Sequence, residues 1–133
     1  MFQIVKRLQK NEAGGAAVEM AFVLPIFLLF VLGIMEFARA YWTLDSMQLA
    51  IDEAGRYAMI NTSATDPQIV STAQSNLYGL DPAQFTITSN STNSNGINYK
   101  VITATYAFSF MAPGILPFGN MTLTRQTTVP ILP

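Results

Sequence analysis

The sequence predicts an α+β fold in which a long N-terminal helix crosses a membrane and continues into a small domain with a second helix and an antiparallel sheet. Three observations support this prediction. A twenty-residue apolar run lies near the N-terminus, a helical repeat of apolar residues follows it, and apolar and polar residues alternate in the C-terminal part. We expect a sheet of three strands or more.

The apolar run, Ala16–Met35, contains a single charged residue, Glu19. Twenty helical residues, each rising about 1.5 Å, span the roughly 30 Å hydrocarbon core of a bilayer. Its many Leu, Ile, Phe and Val side chains outweigh a cost of about 3 kcal/mol for one ionised group. Pro25 has no N–H for the carbonyl of Ala21, which predicts a kink or local loosening there.

A short basic segment, residues 1–14, precedes the run and carries three basic side chains against Glu12. The positive-inside rule places this end in the cytoplasm and the residues after Met35 on the other side of the membrane. No small-residue cleavage site follows the run, so any cleavage is expected before it, at Gly14 and Gly15.

The helix is expected to continue beyond the membrane, from about Gly15 to about Ile60. Apolar residues recur at alternating spacings of four and three as far as Ala58, and no proline intervenes after Pro25. This repeat packs either against the chain's own sheet or against a helix of another subunit. Its candidate helix-packing residues are Phe37, Leu44, Met47 and Ile51.

Residues 61–133 form the predicted distal domain. Asp66 and Pro67 are expected to cap and begin a second helix of about twelve residues, which ends at Gly79. The predicted strands are Gln84–Ser89, Ile97–Phe110 and Met121–Val129.

Two irregular features are expected around the middle strand. The segment Ser89–Gly96 is polar and ends in Asn-Gly, which predicts a loop closed by a tight turn. The apolar positions change from odd to even numbers near Val101 and Ile102, which predicts a bulge there or a strongly twisted ribbon.

An uncharged, proline-rich loop, MAPGILPFGN, precedes the last strand. Its side chains Ile115, Leu116 and Phe118 are apolar in a domain with few charges, which predicts contact with a membrane surface or a partner subunit.

Composition excludes several classes of function. The chain has no cysteine and no histidine, which excludes thiolate catalysis, imidazole bases and the usual zinc sites. The distal part has no basic cluster for nucleic acid. No G-x-S-x-G or paired-carboxylate motif occurs, so we expect no enzyme, no cofactor, no metal and no nucleic-acid partner.

The stretches NEAGGAAVEMAFVLPIFLLFVLGIMEFARAYW and LDSMQLAIDEAGRYAM resemble the TadE-like family, pseudopilins of the Tad/Flp (type IVc) pilus system. A weaker resemblance covers Tyr106–Pro113 and Leu116–Thr124. The resemblance implies a pilin-like fold and cleavage by a prepilin peptidase between Gly14 and Gly15.

The same resemblance assigns a role to Glu19, the fifth residue after that cleavage. Its carboxylate would neutralise the new N-terminal amine of an adjacent subunit inside an apolar bundle. Met20 follows it, where major Flp pilins have tyrosine. This departure and the large distal domain point to a minor or accessory subunit.

The resemblance therefore implies a structural subunit that supports pilus assembly and surface adhesion. It would lie in the bacterial inner membrane, with a cytoplasmic N-terminus and a periplasmic domain. Its partners would be the prepilin peptidase, other pilin or pseudopilin subunits, the assembly platform and the lipid bilayer.

The alternative is a generic single-span tether that carries a binding module, which would keep residues 1–14 and would not depend on Glu19. A membrane-anchored hydrolase is a third possibility, against which the absence of histidine argues.

Overall fold

The computed structural model describes residues 12–111 and 119–132, with side chains from residue 14 onward. The chain divides into two compact units after Glu36. The element order is helix, helix, a short 3-10 turn and three strands, which confirms the predicted α+β class.

Helix α1 covers Glu12–Ile60, a run of 49 residues. It begins three residues before the predicted start at Gly15 and ends at Ile60, as predicted. Pro25 lies inside it without ending it. After the last turn, both the backbone N–H and the side-chain amide of Asn61 donate to the carbonyl of Tyr57.

Helix α2 covers Asp66–Ser75 and is shorter than the predicted twelve residues. The prediction that Asp66 caps it is wrong, since Thr65 is the N-cap and Asp66 begins the first turn. The backbone N–H of Thr65 donates to the side-chain oxygen of Gln68 at 2.9 Å, half of a capping box. Gly79 follows in a turn with a φ of 71°, a left-handed conformation that favours glycine.

Three antiparallel strands form one sheet in the order β1-β2-β3: Phe85–Ser94, Ile97–Phe108 and Met121–Ile131. The predicted polar loop at Ser89–Gly96 is wrong, because β1 continues to Ser94 and pairs there with Ile97. Only the Asn-Gly turn remains, and both of its residues have positive φ, as a tight hairpin turn of this kind requires. Backbone pairing carries the strand through a stretch whose side chains are polar and exposed.

The predicted bulge near Val101 and Ile102 is also wrong, because the register of β2 with both neighbours is unbroken. Even-numbered residues such as Ile102 and Ala104 are buried on the inner face. Odd-numbered apolar residues such as Val101 are half-buried on the opposite face. The change of phase in the sequence reflects two faces that are both partly apolar.

The hydrophobic core lies in the second unit, between α1, α2 and the inner face of the sheet. Near its end, α1 passes close to β3, where an added Cβ at Gly55 would lie 3.0 Å from Cγ1 of Val129. The fully buried side chains include Met47, Ile51, Ile69, Ile102 and Phe108.

Candidate functional site

The first turns of α1 hold the residues that the sequence assigns to processing and assembly. Gly14 and Gly15 are helical and exposed, and no atom of the described residues lies within 4 Å of the position where a Cβ would be added to either glycine. Glu19 lies four residues after Gly15, so both are on the same helix face, one turn apart. A peptidase that reaches this end of the helix would therefore leave a carboxylate one turn from the new N-terminus.

Apolar side chains surround this part of α1 on all sides. From Val18 to Met35 its large apolar side chains are exposed, apart from a half-buried Val31. Pro25, also exposed, lies near the middle of this stretch and leaves the carbonyl of Ala21 without its helical donor. Among the described residues, α1 is the single helix whose length and composition would allow it to cross a membrane.

The proposed helix-packing residues are placed differently from one another. Met47 and Ile51 are fully buried in the core of the second unit, and Leu44 is half-buried against it. Phe37, by contrast, is 75% exposed and takes no part in that core. The loop residues Ile115, Leu116 and Phe118 lie outside the described residues, as do residues 1–11 of the basic segment.

Arg39 joins α1 to the end of β2. Its guanidinium lies 4.3 Å from the centroid of the Phe108 ring and donates a hydrogen bond to the carbonyl of Ser109. These partners are 70 residues away in the chain, so no local pattern in the sequence could have identified them.

An ion pair joins the start of α2 to the sheet. Nζ of Lys100 lies 2.6 Å from Oδ1 of Asp66, and the hydroxyl of Ser89 donates to the same oxygen at 2.9 Å. These two hydrogen bonds, the one from Lys100 first, hold the pKa of Asp66 below its ordinary value. The site can stabilise the fold by joining α2 to the sheet.

Arg125 faces the core side of β3, between Leu123 and Thr127. Its Nε is buried and has no hydrogen-bond partner among the described residues. Those same residues contain no group of three or more carboxylate, imidazole or thiolate side chains that could hold a metal ion.

Residues 14–64 match the family model described as TadE-like protein. We call residues 14–64 the TadE-like segment. The match begins at Gly14 and covers nearly all of α1 and the turn that follows it. The TadE-like segment therefore includes Gly14, Gly15, Glu19 and Pro25.

The helix α2 and the sheet lie beyond the TadE-like segment, as do the C-terminal stretches in which the sequence suggested a weaker resemblance. No curated protein and no solved structure matches the chain. The similarity to the TadE-like family thus rests on the helix that carries the residues predicted to act in processing and assembly.

Proposed function

We propose that the protein is a TadE-like minor pilin or pseudopilin, a structural and non-catalytic subunit that supports assembly of a Tad pilus and, through it, surface adhesion. The match of residues 14–64 to the TadE family carries this proposal, because it begins at the glycine pair and includes Glu19. The subunit would lie in the bacterial inner membrane, with residues 1–14 in the cytoplasm and the folded unit in the periplasm.

In the first step, a prepilin peptidase hydrolyses the peptide bond between Gly14 and Gly15. Water is consumed, a carboxylate forms on Gly14 and an amine on Gly15. Both glycines lie in the first turn of α1, and each disfavours the helix by about 1 kcal/mol relative to alanine. This turn can therefore open at small cost, which gives a peptidase access to the bond.

In the second step, the apolar part of α1 leaves the lipid for a bundle of pilin helices. The two environments are similarly apolar, so specific contacts must favour the transfer. Before cleavage, the positive end of α1 at Glu12 lies about two turns from Glu19. After cleavage, the helix begins at Gly15, so its positive end and the new amine lie one turn from Glu19. We propose that the carboxylate of Glu19 pairs with the amine of an adjacent subunit, so that neither charge remains alone in the bundle. The other pilin subunits and the assembly platform would be its partners.

The processing step is tested by the N-terminal residue of the protein isolated from native membranes. We expect Gly15 in the wild type and Met1 in Gly14→Leu. The matched control is Gly33→Leu on the same helix, where the space around the glycine is equally open, and it should still begin at Gly15. Retention of Met1 in the wild type would favour the tethered binding module.

The assembly step is tested by Glu19→Gln. We expect this variant to be processed and inserted normally, but to be recovered with sheared pili at least about tenfold less than wild type, since a buried amine without its partner is costly. Glu12→Gln is the control, because the proposed cleavage discards that residue. Equal recovery of wild type and Glu19→Gln would rule out the pairing.

A further inference from the structure

Exposed aromatic and methionine side chains gather at one end of the second unit. Phe37 is 75%, Tyr41 66% and Met111 80% exposed, while Trp42 and Met121 are about half exposed. We call these five residues the aromatic end. A patch of this kind on a folded unit indicates a surface that something else covers.

The contacts of Arg39 place the two methionines at the same level of α1 as the three aromatic residues, with Phe37 and Tyr41 on the helix face opposite to Arg39. Arg39 lies between Phe37 and Tyr41 in α1 and binds the ring of Phe108 and the carbonyl of Ser109. The last residues of β2 therefore lie next to α1 at the level of Arg39. Phe108 also pairs with Met121 at the start of β3.

The aromatic end follows directly on the apolar run of α1. At a rise of about 1.5 Å per residue, Tyr41 lies about 9 Å beyond Met35 along the helix. The headgroup layer adds roughly 5–8 Å to each side of the hydrocarbon core, so Phe37 falls within it, while the backbone of Tyr41 and Trp42 lies about 1–5 Å beyond it. Side chains on a helix point back toward its N-terminus, which brings the rings of Tyr41 and Trp42 toward the headgroup layer. Tyrosine and tryptophan are enriched at this depth, because their rings are apolar and their polar groups can reach water.

We propose that the aromatic end rests in the headgroup layer of the bilayer that α1 spans before assembly. Lipid is the occupant we infer, because the exposed apolar surface continues without interruption from the candidate span into Phe37 and Tyr41. The first exposed acid on α1 after the apolar run, Asp45, comes one turn after Tyr41, where the helix would enter water. This inference rests on the membrane-spanning helix and not on processing at Gly14.

The chain has one tryptophan, Trp42, which makes a direct measurement of depth possible. The full chain is reconstituted in phosphatidylcholine vesicles, and the fluorescence of Trp42 is quenched either by lipids brominated on the acyl chain near the headgroup or by acrylamide in the water. Two variants supply reference depths. Trp42→Phe with Leu49→Trp places the probe two turns farther out on the same helix face, and Trp42→Phe with Phe27→Trp places it within the span.

We expect the brominated lipid to quench Trp42 at least about twofold more strongly than the probe at position 49, and acrylamide to quench it at least about twofold less. The probe at position 27 should be quenched by lipid alone. If lipid quenches the probe at position 27 while Trp42 behaves like the probe at position 49, then α1 spans the bilayer but the aromatic end does not lie in the headgroup layer, and the inference fails. If the protection of Trp42 from acrylamide increases with the protein-to-lipid ratio, the inference is also overturned, because a second copy of the chain and not lipid would then cover the aromatic end. These quenching results do not depend on whether the protein begins at Met1 or at Gly15.

Discussion

Lys100 and Arg125 are cations on neighbouring strands, and they differ in what surrounds them. Lys100 is only 16% exposed, and its ammonium is paired with Asp66, which also accepts a hydrogen bond from Ser89. The Nε of Arg125 is buried without a hydrogen-bond partner in the described part of the chain. A paired charge stabilises a fold when its partner is held in place, whereas an unpaired buried polar group costs free energy.

The pair at Asp66 predicts a pH dependence of stability. The pKa of Asp66 is lowered below its ordinary 3.8. A carboxyl group with a depressed folded-state pKa contributes stability above its unfolded pKa, and this contribution is lost as the pH falls through the lowered value. We expect the Tm of the wild type to fall more between about pH 5 and pH 2 than that of Asp66→Asn.

At neutral pH, Asp66→Asn should lower stability by about 1 kcal/mol or less, because the Asp66 side chain is half exposed. The measurement is thermal unfolding in detergent, with Asp45→Asn on the exposed face of α1 as the control. An identical loss of Tm on acidification in wild type and Asp66→Asn would contradict the assignment.

Arg125→Met tests the arginine whose Nε has no hydrogen-bond partner in the described part of the chain. The change keeps an unbranched stem on the inner face of β3 and removes the polar group without a partner, so we expect an unchanged or higher Tm. Lys100→Met is the matched comparison on the neighbouring strand, and it should lower the Tm because it leaves Asp66 without its cation. A loss of Tm in Arg125→Met as large as that in Lys100→Met would show that Arg125 is needed for the fold.

At the scale of the elements, the approach of α1 to β3 depends on a residue without a side chain. An added Cβ at Gly55 would lie 3.0 Å from Val129 and 3.6 Å from Thr127. We expect Gly55→Leu to destabilise the protein by about 1–3 kcal/mol through overpacking, as measured by chemical unfolding.

Adding Val129→Ala to Gly55→Leu removes side-chain volume at this contact. Because the two residues touch, the double variant should recover part of the stability that Gly55→Leu loses. Arg56→Leu is the control, since its side chain is 71% exposed and the change should remain within about 0.5 kcal/mol. If Val129→Ala and Gly55→Leu are simply additive, the two residues do not form the contact described here.

The strands also show which elements can be predicted from local sequence. The three strands were identifiable because apolar and polar residues alternate in part of each one. The outer half of β1 was not, because Ser91–Ser94 hold their place through backbone pairing with β2 and bury nothing. Residues with low strand propensity adopt this conformation because the hairpin turn aligns the two strands.

At the scale of the whole molecule, the buried core side chains among the described residues all lie between Ala40 and Val129. We therefore expect a chain that begins at Phe37 to fold without the preceding residues, and to unfold cooperatively with the same sheet and helix content by circular dichroism. A gradual transition, or loss of the β signal, would show that the preceding part of α1 is needed for folding.

In the candidate site, the features that depend on neighbouring residues could be predicted from the sequence, and those that depend on distant residues could not. The spacing of Gly14, Gly15 and Glu19 is a property of one helix, so it could be found from the sequence. The roles of Arg39 and Gly55 depend on residues that lie about 70 positions away and meet them only after folding. The exposure of Phe37 could not be predicted either, since its place in the apolar repeat is typical of a buried position.

The hairpin between β1 and β2 ends far from the aromatic end. Because β2 runs for 12 residues from Ile97 to Phe108, its turn at Asn95 and Gly96 lies about 40 Å from that end. This tip packs against nothing in the core, so a short peptide epitope spliced between the two residues should be tolerated. On intact cells, antibody labelling of such an epitope would reveal by microscopy whether the subunit emerges at the surface along a filament or stays hidden within the envelope.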